Sequence, residues 1–141
     1  MDASVVAKWY IIEEDFEKAV RVRDIRLSGR LTLSSPLLVV YEVGNALGKH
    51  PALTESDSAR AFQSLLDVGL QLRSFAESKL LGESFKISRQ LQLTFYDATY
   101  VALAKEYDAL LITADRNLCS KIERHCRTEL LSEMKPEELA E

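Results

Sequence analysis

The sequence predicts a single α/β domain in which a mostly parallel sheet is flanked by helices on both faces. Short apolar runs typical of strands alternate along the chain with longer helical patterns, as in domains built from strand and helix units. The 141 residues, of which 47% are hydrophobic, suffice for one core but not for two. Because no linker or repeat divides the chain, we expect one domain over residues 1–134 and a surface tail over residues 135–141.

Local signals define the elements of the first half. Gly29 is a typical helix stop, Ser35-Pro36 suits the N-cap and first turn of a helix, and Thr54 begins a polar helix start. Residues 70–75 alternate like a half-buried strand. In chain order we predict a helix over 3–12, a helix over 16–28, a strand over 31–34, a helix over 35–49, a helix over 54–68 and a strand over 70–75.

The second half continues this alternation. Residues 109–113, Ala-Leu-Leu-Ile-Thr, form the most strand-like run in the chain. Around it we predict a helix over 78–92, a helix over 98–107 led by Asp97, a helix over 116–126 directly after Asp115, and a last edge strand over 128–132.

Four isolated carboxylates stand where the sequence otherwise indicates core or strand ends: Asp2, Glu42, Asp97 and Asp115. Glu42 and Asp97 lie inside apolar runs, and no Lys or Arg stands within four residues of Glu42. A buried carboxylate without a partner costs several kcal/mol or stays protonated, so a compensating cation is expected. Asp115 follows a predicted strand, and ligands bind parallel sheets at the carboxyl ends of their strands. The four acids therefore predict one acidic metal site.

The chemistry of the acids favours a particular class of cation. Oxygen ligands without His or Cys suit Mg²⁺ or Mn²⁺, and such ions activate water for attack on a phosphodiester. Three polar residues near the acids could hold a metal-bound water or a carboxylate oxygen by hydrogen bonds: Ser4, Asn45 and Thr113. The spacings of 40, 55 and 18 residues between the acids require the fold to assemble the site from separate elements.

Each acid also has a purely structural interpretation. Asp97 and Asp115 could cap helices, a role worth about 1 kcal/mol each. Asp2 could be a disordered terminal residue, and Glu42 could face solvent if its helix were rotated, although its apolar neighbours oppose this.

Four motifs together resemble those of the PIN domain family, in particular the VapC-type toxin ribonucleases of toxin-antitoxin pairs. In chain order they are Asp2-Ala-Ser-Val-Val-Ala, Tyr41-Glu-Val-Gly-Asn-Ala-Leu47, Tyr96-Asp-Ala-Thr-Tyr-Val-Ala-Leu-Ala104 and Leu111-Ile-Thr-Ala-Asp-Arg-Asn-Leu118. Each motif alone is weak, but the order and spacing of all four are specific. The resemblance spans nearly the whole chain.

The resemblance implies a function and its site. It implies a parallel sheet flanked by helices and endoribonuclease activity that depends on Mg²⁺ or Mn²⁺. It assigns Asp2, Glu42, Asp97 and Asp115 to the metal-binding quartet, and Asn45 and Thr113 to supporting positions. It further implies a homodimer and a small VapB-type antitoxin whose tail covers the active site.

The chain departs from this family at its start. Members of the family carry several apolar strand residues before the first Asp, whereas only Met1 precedes Asp2 here. We hypothesise that the first strand is truncated and that an apolar strand is encoded in frame upstream of Met1. A stop codon directly upstream would contradict this hypothesis.

Net charge and hydropathy limit the classes of partner, nucleic acid or membrane, that this chain could bind. The formal net charge of −4 argues against a general nucleic-acid coat, because non-specific phosphate binding needs many cations. A local basic cluster could still contact RNA backbone through Arg21, Arg23 and Arg26, or it could be a solvated helix face. No run approaches the roughly 20 apolar residues of a membrane span, so we expect a cytoplasmic protein without a membrane partner.

Two other functions remain open. One is a non-catalytic PIN scaffold that binds RNA or a protein, which a site unable to hold metal would favour. The other is a phosphatase that forms an aspartyl-phosphate. That chemistry needs a second acid beside the nucleophilic Asp, and Asp2-Ala-Ser4 does not supply one.

Overall fold

Four three-residue strands form two parallel pairs in residues 1–77 and 79–140, the part of the chain that the computed structural model describes. In β1 (Ser34–Pro36) and β2 (Gln71–Arg73), Ser34 lies opposite Gln71. In β3 (Leu111–Thr113) and β4 (Thr128–Leu130), Leu111 lies opposite Thr128. Parallel neighbours need a crossover connection, which helices supply in both pairs. The α/β class predicted from the sequence is therefore confirmed.

Helices make up most of the remaining described chain. The α-helices are α1 (Ala3–Val6), α2 (Phe16–Leu27), α3 (Leu38–Lys49), α4 (Glu55–Asp67), α5 (Leu80–Leu91), α6 (Phe95–Glu106) and α7 (Arg116–Ile122). Short 3₁₀ helices cover Ala7–Trp9, Phe75–Glu77 and Pro136–Ala140. Two residues, Ser78 and Glu141, lie outside the described residues. Ser78 is the predicted first residue of the helix over 78–92, which corresponds to α5. No helix in the described ranges is long and apolar enough to cross a membrane.

The first two residues join the two strand pairs. The Ser35 hydroxyl donates to the Met1 carbonyl at 2.9 Å, and the Asp2 N–H donates to the Ile112 carbonyl at 3.2 Å. One neighbour belongs to β1 and the other to β3. The backbone at Asp2 is therefore held between the pairs, and the Asp2 side chain has a fixed place beside β3.

Helix α6 lies at the centre of the core. Every residue from Ala98 to Ala104 is buried, which is typical of a helix that is covered on all sides. It runs along α5 and also contacts β1 and β3. The small side chains of Ala98, Ala102 and Ala104 allow these neighbours to approach it closely. Because its neighbours hold α6 in place, the side chains that project from its first turn start from a fixed backbone.

The segment around Ser35 corrects the sequence prediction. Strand β1 covers residues 34–36 instead of 31–34, and Ser35-Pro36 does not cap a helix. The Ser35 hydroxyl is bonded to Met1, and the Leu37 N–H donates to the Arg73 carbonyl at 2.8 Å, which extends the pairing with β2. Helix α3 therefore starts at Leu38, without a side-chain cap.

Two predicted helices are shorter in the structure. The helix predicted over 3–12 ends at Val6 and continues as a 3₁₀ turn over Ala7–Trp9, and both Trp9 in this turn and Ile11 after it are buried. The helix predicted over 116–126 ends at Ile122, because β4 must begin soon afterwards to pair with β3.

Candidate active site

Three carboxylates from three separate elements face a common region. Asp2 precedes α1 as its N-cap, Glu42 lies in the middle of α3, and Asp97 lies in the first turn of α6. Burial raises the pKa of Glu42, a hydrogen bond from Tyr100 opposes the rise, and the charges of Asp2 and Asp97 raise it further. No Lys or Arg of the described chain forms an ion pair with any of the three. The Met1 ammonium acts on Asp2, where its charge opposes the rise in pKa, but no Lys or Arg of the described residues compensates Glu42 or Asp97.

Asp2 is the most enclosed of the acids, with 4% of its surface exposed. Its carboxylate accepts hydrogen bonds from the Ser4 backbone N–H at 2.9 Å, from the Ser4 hydroxyl and from Thr113. Burial raises the pKa of Asp2, whereas the bonds from Ser4 and Thr113 favour the charged form and oppose this rise. These bonds fix the orientation of the carboxylate.

Two hydroxyls connect Asp2 to the loop after β3. The Ser4 hydroxyl accepts from the Ala114 N–H at 2.9 Å, and the Thr113 hydroxyl accepts from the Asp115 N–H at 3.0 Å. The same two hydroxyls contact the Asp2 carboxylate. Ser4 and Thr113 therefore hold the Asp2 carboxylate against the loop that follows β3. Asn45 lies one turn from Glu42 on the exposed side of α3, and its amide makes no hydrogen bond to another described residue.

Asp97 occupies a different helical position from the one that the sequence predicted. Helix α6 begins at Phe95, not at Ala98, and Thr94 is its N-cap, with the Thr94 hydroxyl accepting from the Asp97 N–H at 3.0 Å. Thr94 can cap the helix because its backbone is extended and its hydroxyl is in reach of the third amide. The half-buried Asp97 carboxylate has no hydrogen bond or ion pair within the described ranges, so its oxygens are available to a ligand.

Asp115 lies at the edge of this region and is exposed. It follows the carboxyl end of β3 by two residues, and its carboxylate accepts from the Leu118 N–H at 3.0 Å as the N-cap of α7. It is linked to Asp2 through Thr113. The structure thus brings Asp2, Glu42 and Asp97 together, with Asp115 attached to the group through β3.

Tyr100 contacts one of the candidate ligands, although it is not among the residues predicted for the site. Its hydroxyl donates a hydrogen bond to the Glu42 carboxylate, and burial together with Glu42 raises the pKa of Tyr100. One signal was present in the sequence: Tyr100 follows Asp97 by three residues, so the two share a helix face.

The three arginines predicted to contact RNA lie on α2 and already have partners. Arg21 forms an ion pair with Glu137 at 3.3 Å, and Arg23 forms one with Asp24 at 3.1 Å. Arg26 donates to the Gly69 carbonyl at 2.8 Å. The first two pairs are near the surface, where such pairs contribute little energy and exchange readily.

The donor chemistry fits a hydrated, hard divalent cation. The groups brought together here are carboxylates and the hydroxyls that bond to them, and the acids repel one another. Within the described residues, no three His, Cys, Asp or Glu side chains stand close enough to enclose a metal ion. Mg²⁺ commonly binds through one or two carboxylates and keeps several waters. The donor chemistry therefore suits a cation held by one or two of these acids and by water.

Comparisons with known proteins agree with this arrangement. The sequence model of the PIN domain family matches residues 1–123. Ribonuclease VapC3 of Pyrobaculum aerophilum is 33% identical over 124 residues, which cover 86% of this chain and 92% of that protein. Exonuclease VapC9 of the same organism is 33% identical over 123 residues, which cover 86% of this chain and 83% of that protein.

A solved structure shows the same similarity. The crystal structure of PAE2754 from Pyrobaculum aerophilum superposes with a TM-score of 0.65 at 27% identity, over 85% of this chain and 76% of that one. The family model covers most of the chain, and both curated relatives exceed 30% identity over most of their lengths. This chain belongs to the PIN domain family and, within it, to the VapC type.

Proposed function

We propose that this protein is a metal-dependent endoribonuclease that hydrolyses RNA phosphodiesters and acts as the toxin of a VapBC-type toxin-antitoxin pair. The convergence of Asp2, Glu42 and Asp97, none of which forms an ion pair with a Lys or Arg of the described residues, is the observation that carries the proposal. A fold that maintains such repulsion is stabilised when a cation binds there. The names of the two curated relatives, a ribonuclease and an exonuclease of the VapC type, support nucleic-acid hydrolysis.

In this proposal, Asp2, Glu42, Asp97 and Asp115 hold Mg²⁺ or Mn²⁺. When bound, the ion neutralises charge on the phosphate and lowers the pKa of the attacking water. The hydrogen bonds from Ser4 and Thr113 orient the Asp2 carboxylate and oppose the rise in its pKa that burial causes. We place Asn45 as a further supporting residue, because it lies one turn from Glu42 on α3.

The proposed substrate is single-stranded or loop RNA. Such RNA can bend its backbone into an acidic, metal-filled cleft and turn its bases outward, which a regular duplex cannot do. Arg21, Arg23 and Arg26 on α2 are the proposed contacts to the RNA backbone. Because surface ion pairs are weak, phosphates can compete with the present partners of Arg21 and Arg23.

We also propose the partners that accompany this role. They are a small VapB-type antitoxin, which restrains the nuclease, and a second copy of the chain in a homodimer. The VapC type of both curated relatives supports the antitoxin. The RNA substrate implies action in the cytoplasm.

The direct test is cleavage of a circular single-stranded RNA with Mn²⁺ or Mg²⁺ present. A circle has no end, so an endonuclease opens it and an exonuclease does not. We expect Asp97→Asn to slow cleavage about 100-fold or more, because losing a metal ligand removes several kcal/mol of transition-state stabilisation. Asp108→Asn is the matched control: it makes the same change just beyond α6, at an exposed position with φ 47°, which Asn also tolerates.

The alternatives give distinct results. Cleavage of linear RNA alone would make the protein an exonuclease. A site that fails to bind metal, or that binds metal without cleaving either RNA, would favour a non-catalytic PIN scaffold. Cleavage that persists in a chelator, or in Asp97→Asn, would contradict the proposed site.

A further inference from the structure

Tyr100 lies at the meeting point of the three elements that carry the converging acids. It projects from α6, one turn after Asp97, and only 3% of its surface is exposed. Its hydroxyl donates to the Glu42 carboxylate of α3, across 58 residues of sequence. The backbone N–H of Ala3, the first residue of α1, approaches the same phenol oxygen as a donor. One hydroxyl group therefore connects α1, α3 and α6.

These contacts use both functions of a phenol. The O–H can donate once, and it donates to Glu42, while a lone pair of the oxygen faces the Ala3 N–H. Ala3 follows Asp2 directly, so the phenol is coupled to the backbone that carries the most enclosed acid. The ring itself is buried in the core and cannot move away easily.

Glu42 depends on this contact for its position. Within the described residues, the Tyr100 hydroxyl is the one side-chain donor recorded for its carboxylate. The negative charges of Asp2 and Asp97 act against Glu42, and its side chain is only half buried. Without an anchor, repulsion and solvent would draw this flexible side chain away from the other acids.

We propose that Tyr100 is a positioning residue that holds the Glu42 carboxylate among the metal-binding acids, so that metal affinity depends on its hydroxyl group. This inference rests on the proposed function, because it requires Glu42 to contribute to metal binding. It assigns to Tyr100 no contact with RNA or with the reacting atoms.

The first experiment is Mn²⁺ titration calorimetry on Tyr100→Phe, which keeps the buried ring and removes only the hydroxyl. Loss of a partner behind a metal ligand typically costs about 10- to 100-fold in metal affinity or activity, so we expect at least a tenfold weaker affinity. In a cleavage assay, the metal concentration for half-maximal rate should rise by the same factor, with a much smaller loss at saturating metal. Tyr107→Phe, at the end of the same helix with an exposed side chain, is the matched control and should bind Mn²⁺ normally.

A double-mutant cycle separates positioning from general destabilisation. If Tyr100 acts through Glu42, then Tyr100→Phe should not weaken Mn²⁺ binding further once Glu42→Ala is present. An equal weakening with and without Glu42 would overturn the inference. So would normal Mn²⁺ affinity in the folded Tyr100→Phe variant.

A second measurement leaves the hydrogen bond in place and does not depend on the stability of Tyr100→Phe. With 3-fluorotyrosine at position 100 of the full chain, the ¹⁹F resonance should shift during a Mg²⁺ titration, with the midpoint that calorimetry with Mg²⁺ gives for the same protein. The shift should disappear in Glu42→Ala. A resonance that does not respond while the metal binds would refute the role of Tyr100 and leave the proposed nuclease function intact. Absence of metal binding in the parent chain would refute both.

Discussion

Asp115 has a structural role and, in the proposed site, a chemical one. Its carboxylate accepts from the Leu118 N–H and so caps α7, a role that needs an oxygen acceptor but no charge. A metal ligand in an oxygen-only site, in contrast, needs the charge. The two roles can therefore be separated by substitution.

We expect Asp115→Asn to keep the unfolding free energy of the parent chain and to cleave RNA about tenfold more slowly, or slower still. Asn is as good an N-cap as Asp, whereas Asp115→Ala should lose the cap as well, at a cost of about 1 kcal/mol in unfolding free energy. Urea unfolding and RNA cleavage, measured on both variants, check this prediction. Full activity of Asp115→Asn would show that Asp115 serves only as a cap.

At the level of residues, the charged members of the site could be predicted from the sequence, but the contacts between them could not. Asp2, Glu42 and Asp97 could be selected as a group because each is an acid where apolar neighbours predict burial, and the structure places the three near one another. Tyr100 could not be selected in the same way, because a Tyr in an apolar helix needs no explanation beyond core packing. Its role depends on a contact with Glu42, which only the tertiary structure reveals.

At the level of elements, local chemistry predicted helices better than it predicted strands. The helix stop at Gly29 is confirmed by its φ of 78°, and Thr54 caps α4 in a capping box with Asp57. Strand β1 was misplaced because its limits depend on pairing with β2, which lies 37 residues further along the chain. Helix α6 starts three residues before the predicted Ala98, because Thr94 instead of Asp97 is its N-cap.

Helix α2 provides a prediction about RNA binding. If Arg21, Arg23 and Arg26 contact phosphates, changing all three to Ala should weaken RNA binding and reduce its salt dependence. Each contact with single-stranded RNA contributes about 0.7 to the slope of log K against log salt, so the slope should fall by about 2. Changing Arg89, Arg124 and Arg127 to Ala removes the same formal charge elsewhere and is the control. An unchanged slope in the α2 variant would exclude this helix as the RNA contact.

At the level of the whole molecule, exposed apolar side chains concentrate on one surface, which we call the aromatic face. Its members are Leu37, Tyr41 and Phe75, which line one groove, and Phe85, which is linked to Phe75 through the ring of Phe95. Ring contacts connect Phe75 and Phe85: the centroid of Phe95 lies 4.7 Å from that of Phe85 and 5.7 Å from that of Phe75, with the ring planes tilted by 38° and 33°. Large apolar patches are uncommon on monomers, and aromatic residues are enriched in protein interfaces.

We therefore expect the second copy in the proposed homodimer to cover the aromatic face. Sedimentation velocity should give about twice the chain mass of 15.9 kDa, and Phe85→Lys should return the chain to a monomer by placing charge in the interface. Ile12→Lys, at another exposed apolar position, should remain a dimer. A monomeric parent chain would contradict the dimer, and a dimeric Phe85→Lys would show that this face is not its interface.

The sequence predicted the fold class and the family, but not how the two strand pairs meet. Alternating strand and helix signals are local and sufficed for the α/β class. The bridge through Met1 and Asp2 depends on Ser35 and Ile112, which lie far away in sequence. That bridge sets the position of Asp2, so the geometry of the candidate site was beyond local signals.

The measurement that tests the central claim most directly is Mn²⁺ titration calorimetry on the parent chain, Asp97→Asn and Asp108→Asn. The account predicts that the parent chain and Asp108→Asn bind Mn²⁺ with equal affinity and that Asp97→Asn binds much more weakly. Equal binding by all three proteins, or no binding by the parent chain, would show that the converging carboxylates are not a metal site.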